Sequence, residues 1–272
     1  MIFAWPTTRP IRGKKNINTY RYTFQKFAKQ FGPREVESIT TEEVLSFLTG
    51  LSDGNKPSTK KNRFGQVRCF FNFVRQTTHN SFPNPCDSPV LRKLFRCHRL
   101  PSRDILEKEV VDEMIFRTED TQSRLVLELM ASGGMRVGEV LKLRAKDIQR
   151  TRLNLVAPKS KREGEVVFIP KKVGDRLEKY ILEHRIKPEG RVFPMCYSTA
   201  RGIVVRAGKM VGVVIAPHDL RRHAATYASR SGTPIEIISK VILRHSNLST
   251  TQRYLGKVSE VEAMRWIENL YG

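Results

Sequence analysis

The stretch from Ile242 to Tyr254 reads ILRHSNLSTTQRY, and its spacing decides how the rest of the chain is interpreted. The segment from Ser249 to Gln252 is typical of a capping box, so it predicts a short helix that carries Tyr254. A tyrosine hydroxyl becomes a nucleophile only where a base and a cationic environment surround it. His245, nine residues before Tyr254, is one such neighbour. The alternative interpretation of Tyr254 is an aromatic residue that only packs within a terminal helix.

A second pattern upstream, His218-Asp-Leu-Arg221, supplies the same kinds of group. On a helix, residues at positions i and i+3 share a face, so His218 and Arg221 project together. A guanidinium binds phosphate oxygens in a fork, and an imidazole beside it can move a proton. Taken alone, a core histidine and a surface arginine explain this pattern more often than a site does.

The charge of the chain points to a polyanionic partner. Its 272 residues include 49 Lys and Arg against 27 Asp and Glu, for a net charge of +22. Residues 1–100 have a net charge of +12 and residues 101–272 one of +10. Basic surfaces bind nucleic acid because phosphate contacts release condensed counterions. Two basic halves therefore predict two surfaces that face DNA, and charge alone leaves an RNA-binding or ribosomal protein open.

Other classes of protein are disfavoured by composition. The four cysteines form no CxxC pair and have no histidine at zinc spacing, which favours reduced thiols over disulfides or a metal site. No apolar run has the length of a membrane span, and the N-terminus lacks the order of a signal peptide. We therefore expect a protein of the cytoplasm, associated with the nucleoid, and no membrane partner.

The first third of the chain predicts helices. An apolar period from Tyr20 ends at Gly32-Pro33, Thr40 or Thr41 with Glu43 starts a second helix, and Ser58 is expected to cap a third. The third has an aromatic face and a basic face. The basic side chains that are candidates for DNA contacts, with a solvated face as the alternative, are Lys60, Lys61, Arg63 and Arg68.

The remaining chain predicts a linker and a second domain. Prolines interleaved with basic residues over 79–103 indicate a basic linker, and a helix is expected from near Glu107. Two short apolar runs, 153–156 and 166–169, flank a turn and predict a β-hairpin. Further helices are predicted over 124–130, 136–143, 217–231 and 235–243.

Together these motifs resemble the signature of the tyrosine recombinase and phage integrase family. That signature has HxxR followed by an HSxxxTTxxY segment, and Ala131–Glu139 (ASGGMRVGE) resembles the family's first arginine box. The resemblance covers residues 105–272 strongly and the N-terminal region weakly. It implies a mainly α fold with a small β-sheet, in which two domains clamp DNA. The domains are a helical core-binding domain (1–95), a basic linker (96–104) and an α+β catalytic domain (105–272).

The resemblance also implies a role for each matching residue. Tyr254 attacks the scissile phosphate and forms a 3′-phosphotyrosyl bond, while Arg136 and Arg221 clamp the non-bridging oxygens. His218 moves the proton of the nucleophile, and His245 hydrogen-bonds a phosphate oxygen. Glu139 supports the site, either by packing or by orienting a histidine.

Two features of the motifs remain open. The family protonates the leaving 5′-oxygen with a hairpin lysine, for which Lys159 fits the register best and Lys161 is the alternative. Arg244 stands where the family commonly has glycine, and there it adds a phosphate contact or shifts His245. The further candidates for DNA contacts are Lys161, Arg222 and Arg244.

The implied partner is a double-stranded DNA recombination site, bound by a homotetramer or heterotetramer. No cofactor and no metal are implied, since the phosphotyrosyl bond conserves the energy of the phosphodiester. Little chain precedes the first predicted helix, so a Xer-like recombinase is favoured over an integrase with an arm-binding domain. An apolar stripe over 258–271 docks on a neighbouring protomer or on its own domain. The alternative functions are a catalytically inert DNA-binding relative and a type IB topoisomerase.

Overall fold

The computed structural model describes residues 14–78, 82–97, 105–155 and 164–252, with Leu255, Met264, Ile267 and Glu268, and describes side chains from Ile17 on. The chain divides into two compact units, Met1–Pro101 and Ser102–Gly272. The boundary lies inside the segment 96–104. That the first unit is a core-binding domain and the second a catalytic domain stays a prediction at this point.

The first unit consists of helices. Its elements are α1 (Lys14–Phe31), α2 (Thr41–Ser52), α3 (Pro57–Thr78) and α4 (Pro89–Leu94), with 3-10 turns at Val36–Ser38 and Pro85–Asp87. The start of α2 is set by a capping box, as predicted. The Thr40 hydroxyl accepts from the Glu43 N–H, and the Thr40 N–H donates to Glu43 Oε2 at 2.9 Å. Each bond pairs a helix-end donor that would otherwise lack a partner.

An aromatic cluster forms the core of this unit. Phe27 of α1 meets Phe47 of α2 and Phe70 of α3 edge to face, with ring centroids 5.3 and 5.4 Å apart. Edge-to-face pairs stabilise beyond the area that they bury, by about 0.5–1.5 kcal/mol each. The aromatic residues that recur along α1 and α3 thus form the contact between these helices.

Helix α1 begins at Lys14, six residues before the apolar period from Tyr20 that predicted it. Two expectations about the first unit are wrong. Helix α3 begins at Pro57, so Ser58 is inside the helix; proline suits the first turn because its fixed φ is already helical. The region 82–95 is not a linker, since four of its side chains are buried in the aromatic core. These are Phe82, Cys86, Leu91 and Phe95.

The second unit is a helical domain with one small sheet. Its helices are α5 (Lys108–Phe116), α6 (Thr121–Ala131), α7 (Val137–Val140), α8 (Lys171–Glu183), α9 (Tyr197–Met210), α10 (Pro217–Arg230), α11 (Ile235–Ile237) and α12 (Leu248–Gln252). A 3-10 turn spans Ala145–Asp147, and a π-helical turn spans Ile238–Ile242. The strands are β1 (Ile148–Gln149), β2 (Arg152–Asn154) and β3 (Val166–Phe168). The mainly α fold class with a small sheet is confirmed.

The sheet is antiparallel in the order β1-β2-β3, and Leu153 faces Val167 across β2 and β3. The predicted hairpin is therefore confirmed, although most of its turn lies outside the described residues. Helix α6 packs against α5, α8, α9 and α10, and all of its residues from Leu125 to Ala131 are buried. A helix surrounded in this way forms the centre of a core. The loop that follows α6 is the one that carries Arg136.

Helix α7 is shorter than the predicted 136–143. It ends at Val140 because the chain then pairs with a different segment. Leu143 accepts from the Val192 N–H at 3.0 Å, and the Ala145 N–H donates to Gly190 at 3.2 Å. These contacts between distant residues outweigh the local helical pattern. In the described part of the chain, no helix has both the length and the apolar character of a membrane span.

Candidate active site

The first arginine of the site stands at the start of α7. Arg136 has an extended backbone, and its N–H donates to Glu139 Oε2 at 2.9 Å. Its Nη1 donates to Glu139 Oε1 at 2.6 Å. The side chain of Arg136 keeps 27% of its surface exposed, whereas that of Glu139 keeps 7%. Glu139 thus binds both the backbone N–H and the guanidinium of Arg136. It orients this guanidinium, which is still partly open to solvent.

The second arginine is the buried centre of the site. Helix α10 begins at Pro217, where Asp219 Oδ2 accepts from the Ala216 N–H at 2.8 Å. Its first turn presents His218 at the surface and Arg221 in the interior, fully buried. Arg221 donates through Nη1 to the carbonyl of Gly134 and through Nη2 to that of Leu243. One side chain therefore joins the loop before Arg136 to the loop before His245.

Gly134 is required by the close approach of these two loops. Its φ is +57°, and a Cβ at this position would lie 2.9 Å from both the carbonyl oxygen and Cγ2 of Ile242. The left-handed backbone is costly for any residue with a Cβ. The glycine therefore lets the Arg136 loop and the His245 loop touch.

Replacing Gly134 by alanine is expected to lower the free energy of unfolding by about 2–4 kcal/mol, through backbone strain and the clash with Ile242. Urea unfolding of the purified variant measures the change. The matched control is Gly138→Ala, since a Cβ there meets nothing within 4 Å, and its stability is expected to change by less than about 1 kcal/mol. Equal stability of both variants would contradict this account of the loop contact.

The π-helical turn places His245. Within it, the Leu243 N–H bonds to Ile238 at 2.8 Å, and the His245 N–H then bonds to Ser239 at 2.8 Å. The ring Nδ1 of His245 lies 3.0 Å from Thr251 Oγ1, whose hydroxyl donates to Ser239 Oγ at 2.9 Å. Ser239 and Thr251 are both buried. Two interior hydroxyls therefore orient the imidazole.

Burial and the nearby positive charge both lower the pKa values of the two histidines. Burial, followed by the guanidinium groups of Arg221 and Arg136, lowers the pKa of His245 to about 4. The same causes, in the same order, lower the pKa of His218. Burial raises the pKa of Glu139, but Arg244 and the hydrogen bonds from Arg136 outweigh it, so that the pKa is lowered. At neutral pH the site holds neutral imidazoles, an ionised carboxylate and excess positive charge.

The lowered pKa of His245 predicts an acid-sensitive fold. Below the ordinary value of 6.5 the unfolded chain binds a proton at this residue, whereas the folded protein does not until about pH 4. Above pH 6.5 this histidine is neutral in both states and does not lower the free energy of unfolding. As the pH falls from 6.5 to 4, the free energy of unfolding decreases by up to about 3 kcal/mol. Urea unfolding between pH 7 and pH 4 measures it, with His245→Gln as the comparison. Identical pH dependence of the two proteins would contradict the lowered pKa.

Three predicted site residues lie outside the described residues. They are the nucleophile candidate Tyr254 and the two hairpin lysines, Lys159 and Lys161. Helix α12 is described as far as Gln252, so whether Tyr254 lies on it stays a prediction. Asn247 caps this helix by accepting from the Ser249 N–H at 2.9 Å, so the expectation that Ser249 opens it is wrong by two residues. Most of the apolar stripe over 258–271 also lies outside.

The DNA-contact candidates differ in their surroundings. Lys61 is exposed, and Lys60 and Arg222 are half-buried. Arg63 donates to the Leu51 carbonyl, and Arg68 Nε donates to Asp87 at 3.0 Å, so both have partners within the first unit. Arg244 is 5% exposed and points into the protein.

Sequence reasoning did not find Ser239 or Glu165 as parts of the site. Two supporting residues did have a signal: Gly134 lies in the ASGGMRVGE box, and Thr251 is the second threonine of the TT pair in the quoted stretch. Ser239 precedes the stretch, and its role depends on the π-helical turn. Within the described residues, no group of three or more His, Cys, Asp or Glu side chains is placed to hold a metal ion.

Comparison with known proteins agrees with this geometry. Residues 104–260, which include every motif of the site, match the phage integrase family. The chain belongs to the phage integrase family. It is 32% identical to the tyrosine recombinase XerA of Thermococcus kodakarensis, with 100% of this chain and 98% of that protein covered. It is 27% identical to a tyrosine recombinase of Pseudothermotoga lettingae, over 84% and 80% of the two chains.

Solved structures of phage integrase relatives share the fold. The Tn1549 transposon integrase in complex with circular intermediate DNA has a TM-score of 0.73 at 15% identity, with 95% of each chain covered. A lambda integrase dimer bound to a COC′ core site has a TM-score of 0.71 at 20% identity, over 93% and 92%. The XerA recombinase has a TM-score of 0.55 at 19% identity, over 96% and 93%. The present chain, as a member of the phage integrase family, is accordingly a tyrosine recombinase, an enzyme that cleaves and rejoins DNA strands.

Proposed function

We propose that this recombinase exchanges strands at a specific double-stranded DNA site through a 3′-phosphotyrosyl bond formed by Tyr254. The observation that carries the proposal is the pair of bonds from Arg221 to Gly134 and Leu243. They bring the loops of Arg136 and His245 to the helix of His218. Two cations and two neutral imidazoles at one place suit a phosphate that gains charge as it is attacked.

In the first step the Tyr254 oxygen attacks the scissile phosphorus, and the bond from phosphorus to the 5′-oxygen breaks. A phenol has an ordinary pKa of about 10, so it needs a base. The lowered pKa of His218 leaves its imidazole neutral and able to accept that proton. Lys159, or Lys161, gives a proton to the departing 5′-oxygen.

The arginines stabilise the transition state in this proposal. Arg136 and Arg221 bind the non-bridging oxygens, for which the buried Arg221 turns a donor from one of its two backbone carbonyls to the phosphate. His245 presents Nε2 to one of these oxygens, since its Nδ1 donates to Thr251, and it donates there once Nε2 takes up a proton as negative charge gathers on the phosphate. Rejoining is the reverse reaction, in which the 5′-hydroxyl of another strand attacks the phosphotyrosine. The bond energy is conserved, so neither ATP nor a cofactor is required, and the protein's own cations supply the positive charge.

Two duplexes have four strands to exchange, and each protomer offers one Tyr254. We therefore assign a tetramer on paired sites, formed by one chain or by two related chains. In the same proposal, residues 1–95 are a core-binding domain that closes a clamp on DNA with the domain 105–272. Lys60, Lys61 and Arg222 provide phosphate contacts, and the enzyme acts in the cytoplasm on nucleoid DNA.

The test starts from a pool of nicked duplexes with a randomised centre, because a nick lets the short 5′ fragment diffuse away and traps the covalent complex. Protein is incubated with the pool in EDTA without ATP, denatured, and washed, and the DNA that stays attached is sequenced. We expect one enriched sequence, the selected duplex. Specific binding without attached DNA would favour an inert DNA-binding relative. Relaxation of supercoiled DNA by a monomer would favour a type IB topoisomerase.

A further inference from the structure

Arg244 occupies a position that suits glycine better. Its φ is +49°, in the left-handed region, where a side chain costs about 1–2 kcal/mol. The tyrosine recombinase pattern commonly has glycine before this histidine. The chain therefore keeps a bulky cation at a position where it strains the backbone, directly beside His245.

The guanidinium of Arg244 is engaged inside the protein. Nη2 donates to Glu139 Oε2 at 2.7 Å, and Nη1 donates to the Ile242 carbonyl at 2.7 Å. Nε lies 3.9 Å from Glu165 Oε2. Only 3% of the side chain is exposed. A DNA phosphate could reach this group only after these ion pairs were broken, and breaking a buried pair is costly.

Glu139 connects Arg244 to Arg136. Its Oε2 accepts from Arg244, and its Oε1 accepts from Arg136 Nη1 at 2.6 Å. One buried carboxylate thus lies between two guanidinium groups. Because Arg244 shares that negative charge, Arg136 is oriented by Glu139 without being fully neutralised by it. The exposed part of Arg136 keeps its attraction for a phosphate.

Arg244 also reaches two other parts of the site. Its Nη2 lies 3.3 Å from the Gly134 carbonyl, which accepts from Arg221 as well. Glu165 immediately precedes β3, the second strand of the hairpin. A single guanidinium therefore contacts the Arg136 loop, the His245 loop and the base of the hairpin.

We infer that Arg244 is a positioning residue for DNA cleavage, which sets the Arg136 guanidinium through Glu139 and holds the His245 loop against the Gly134 turn. The inference rests on the proposed roles of Arg136 and His245. The sequence had left open whether Arg244 contacts a phosphate, and this inference assigns it a positioning role instead.

The test compares wild type with Arg244→Lys, Arg244→Gly and the control Arg230→Lys on the selected duplex. Lysine keeps the charge but loses the fork, and glycine relieves the backbone and restores the residue common in the family. Arg230 pairs with Glu107 at 2.7 Å on the exposed face of α10, away from the site, so its replacement is expected to change nothing. Melting temperatures report whether each variant folds.

We expect the single-turnover cleavage rate at saturating DNA to fall about 10- to 100-fold in both Arg244 variants, since small displacements of catalytic groups have effects of this size. The Kd for DNA and its salt dependence are expected to stay within about twofold, because no phosphate contact is lost. Glu139→Gln combined with Arg244→Lys is expected to lose less than the product of the two single losses, since the two residues act together.

Two results would overturn the inference. One is cleavage at the wild-type rate by folded Arg244 variants. The other is an unchanged rate at saturation with weaker DNA binding and a salt slope reduced by about 1, which would show a phosphate contact. Absence of a covalent complex with the wild-type protein would instead remove the proposed function itself. The wild-type lane therefore distinguishes the two failures.

Discussion

Replacing Tyr254 by phenylalanine is expected to abolish the covalent protein–DNA complex while DNA binding is retained. The change removes only the oxygen that bonds to phosphorus, and no histidine or lysine of the site forms the same stable bond. The loss should exceed about 1000-fold, the range seen when a nucleophile is deleted. The measurement is a denaturing gel of protein with the labelled selected duplex, beside a binding curve under native conditions.

Two controls make the result specific. Tyr227→Phe removes a hydroxyl from α10 on an exposed ring and is expected to leave the covalent band unchanged. Tyr254→Phe should also bind DNA within about fivefold of wild type, since a single hydrogen bond contributes about 1 kcal/mol. A covalent band that persists in Tyr254→Phe would show that another residue is the nucleophile.

Replacing Arg221 by lysine is expected to reduce both catalysis and stability. The fork that spans the Gly134 and Leu243 carbonyls is lost, and a buried acceptor left unpaired costs about 1–3 kcal/mol. Loss of one transition-state donor slows cleavage by about 100- to 1000-fold. Urea unfolding and single-turnover cleavage of the selected duplex measure the two effects separately.

Arg136→Lys is the matched comparison. The side chain of Arg136 is 27% exposed and is held by Glu139 rather than by buried backbone carbonyls, so a similar loss of rate should come with a smaller loss of stability. Stability equal to wild type in Arg221→Lys would contradict the structural part of this account. An unchanged cleavage rate would contradict the catalytic part.

Local patterns predicted those parts of the fold that depend on neighbours in sequence. The capping box at Thr40 and Glu43, the start of α10 at Pro217 and the β-hairpin of the runs 153–156 and 166–169 are confirmed. Each depends on residues close together in the chain. The expectations that proved wrong concern the length of α7 and the start of the linker, which was expected from residue 79. Both depend on contacts with distant segments. Local pattern has no access to those contacts.

Sequence alone determined the family of this protein, because three motifs of chemically distinctive residues can be recognised by their residue types, order and spacing. It also predicted Arg136, His218, Arg221 and His245 as site residues, and the folded chain brings their segments together. Only the tertiary structure decided what surrounds them: the hydroxyls of Ser239 and Thr251 behind His245, and the buried pairing of Arg244 with Glu139. The physical reason is that the identity of an arginine does not specify whether its charge contacts solvent, a phosphate or a buried carboxylate. Only the tertiary contacts of the folded chain determine which of these partners it has.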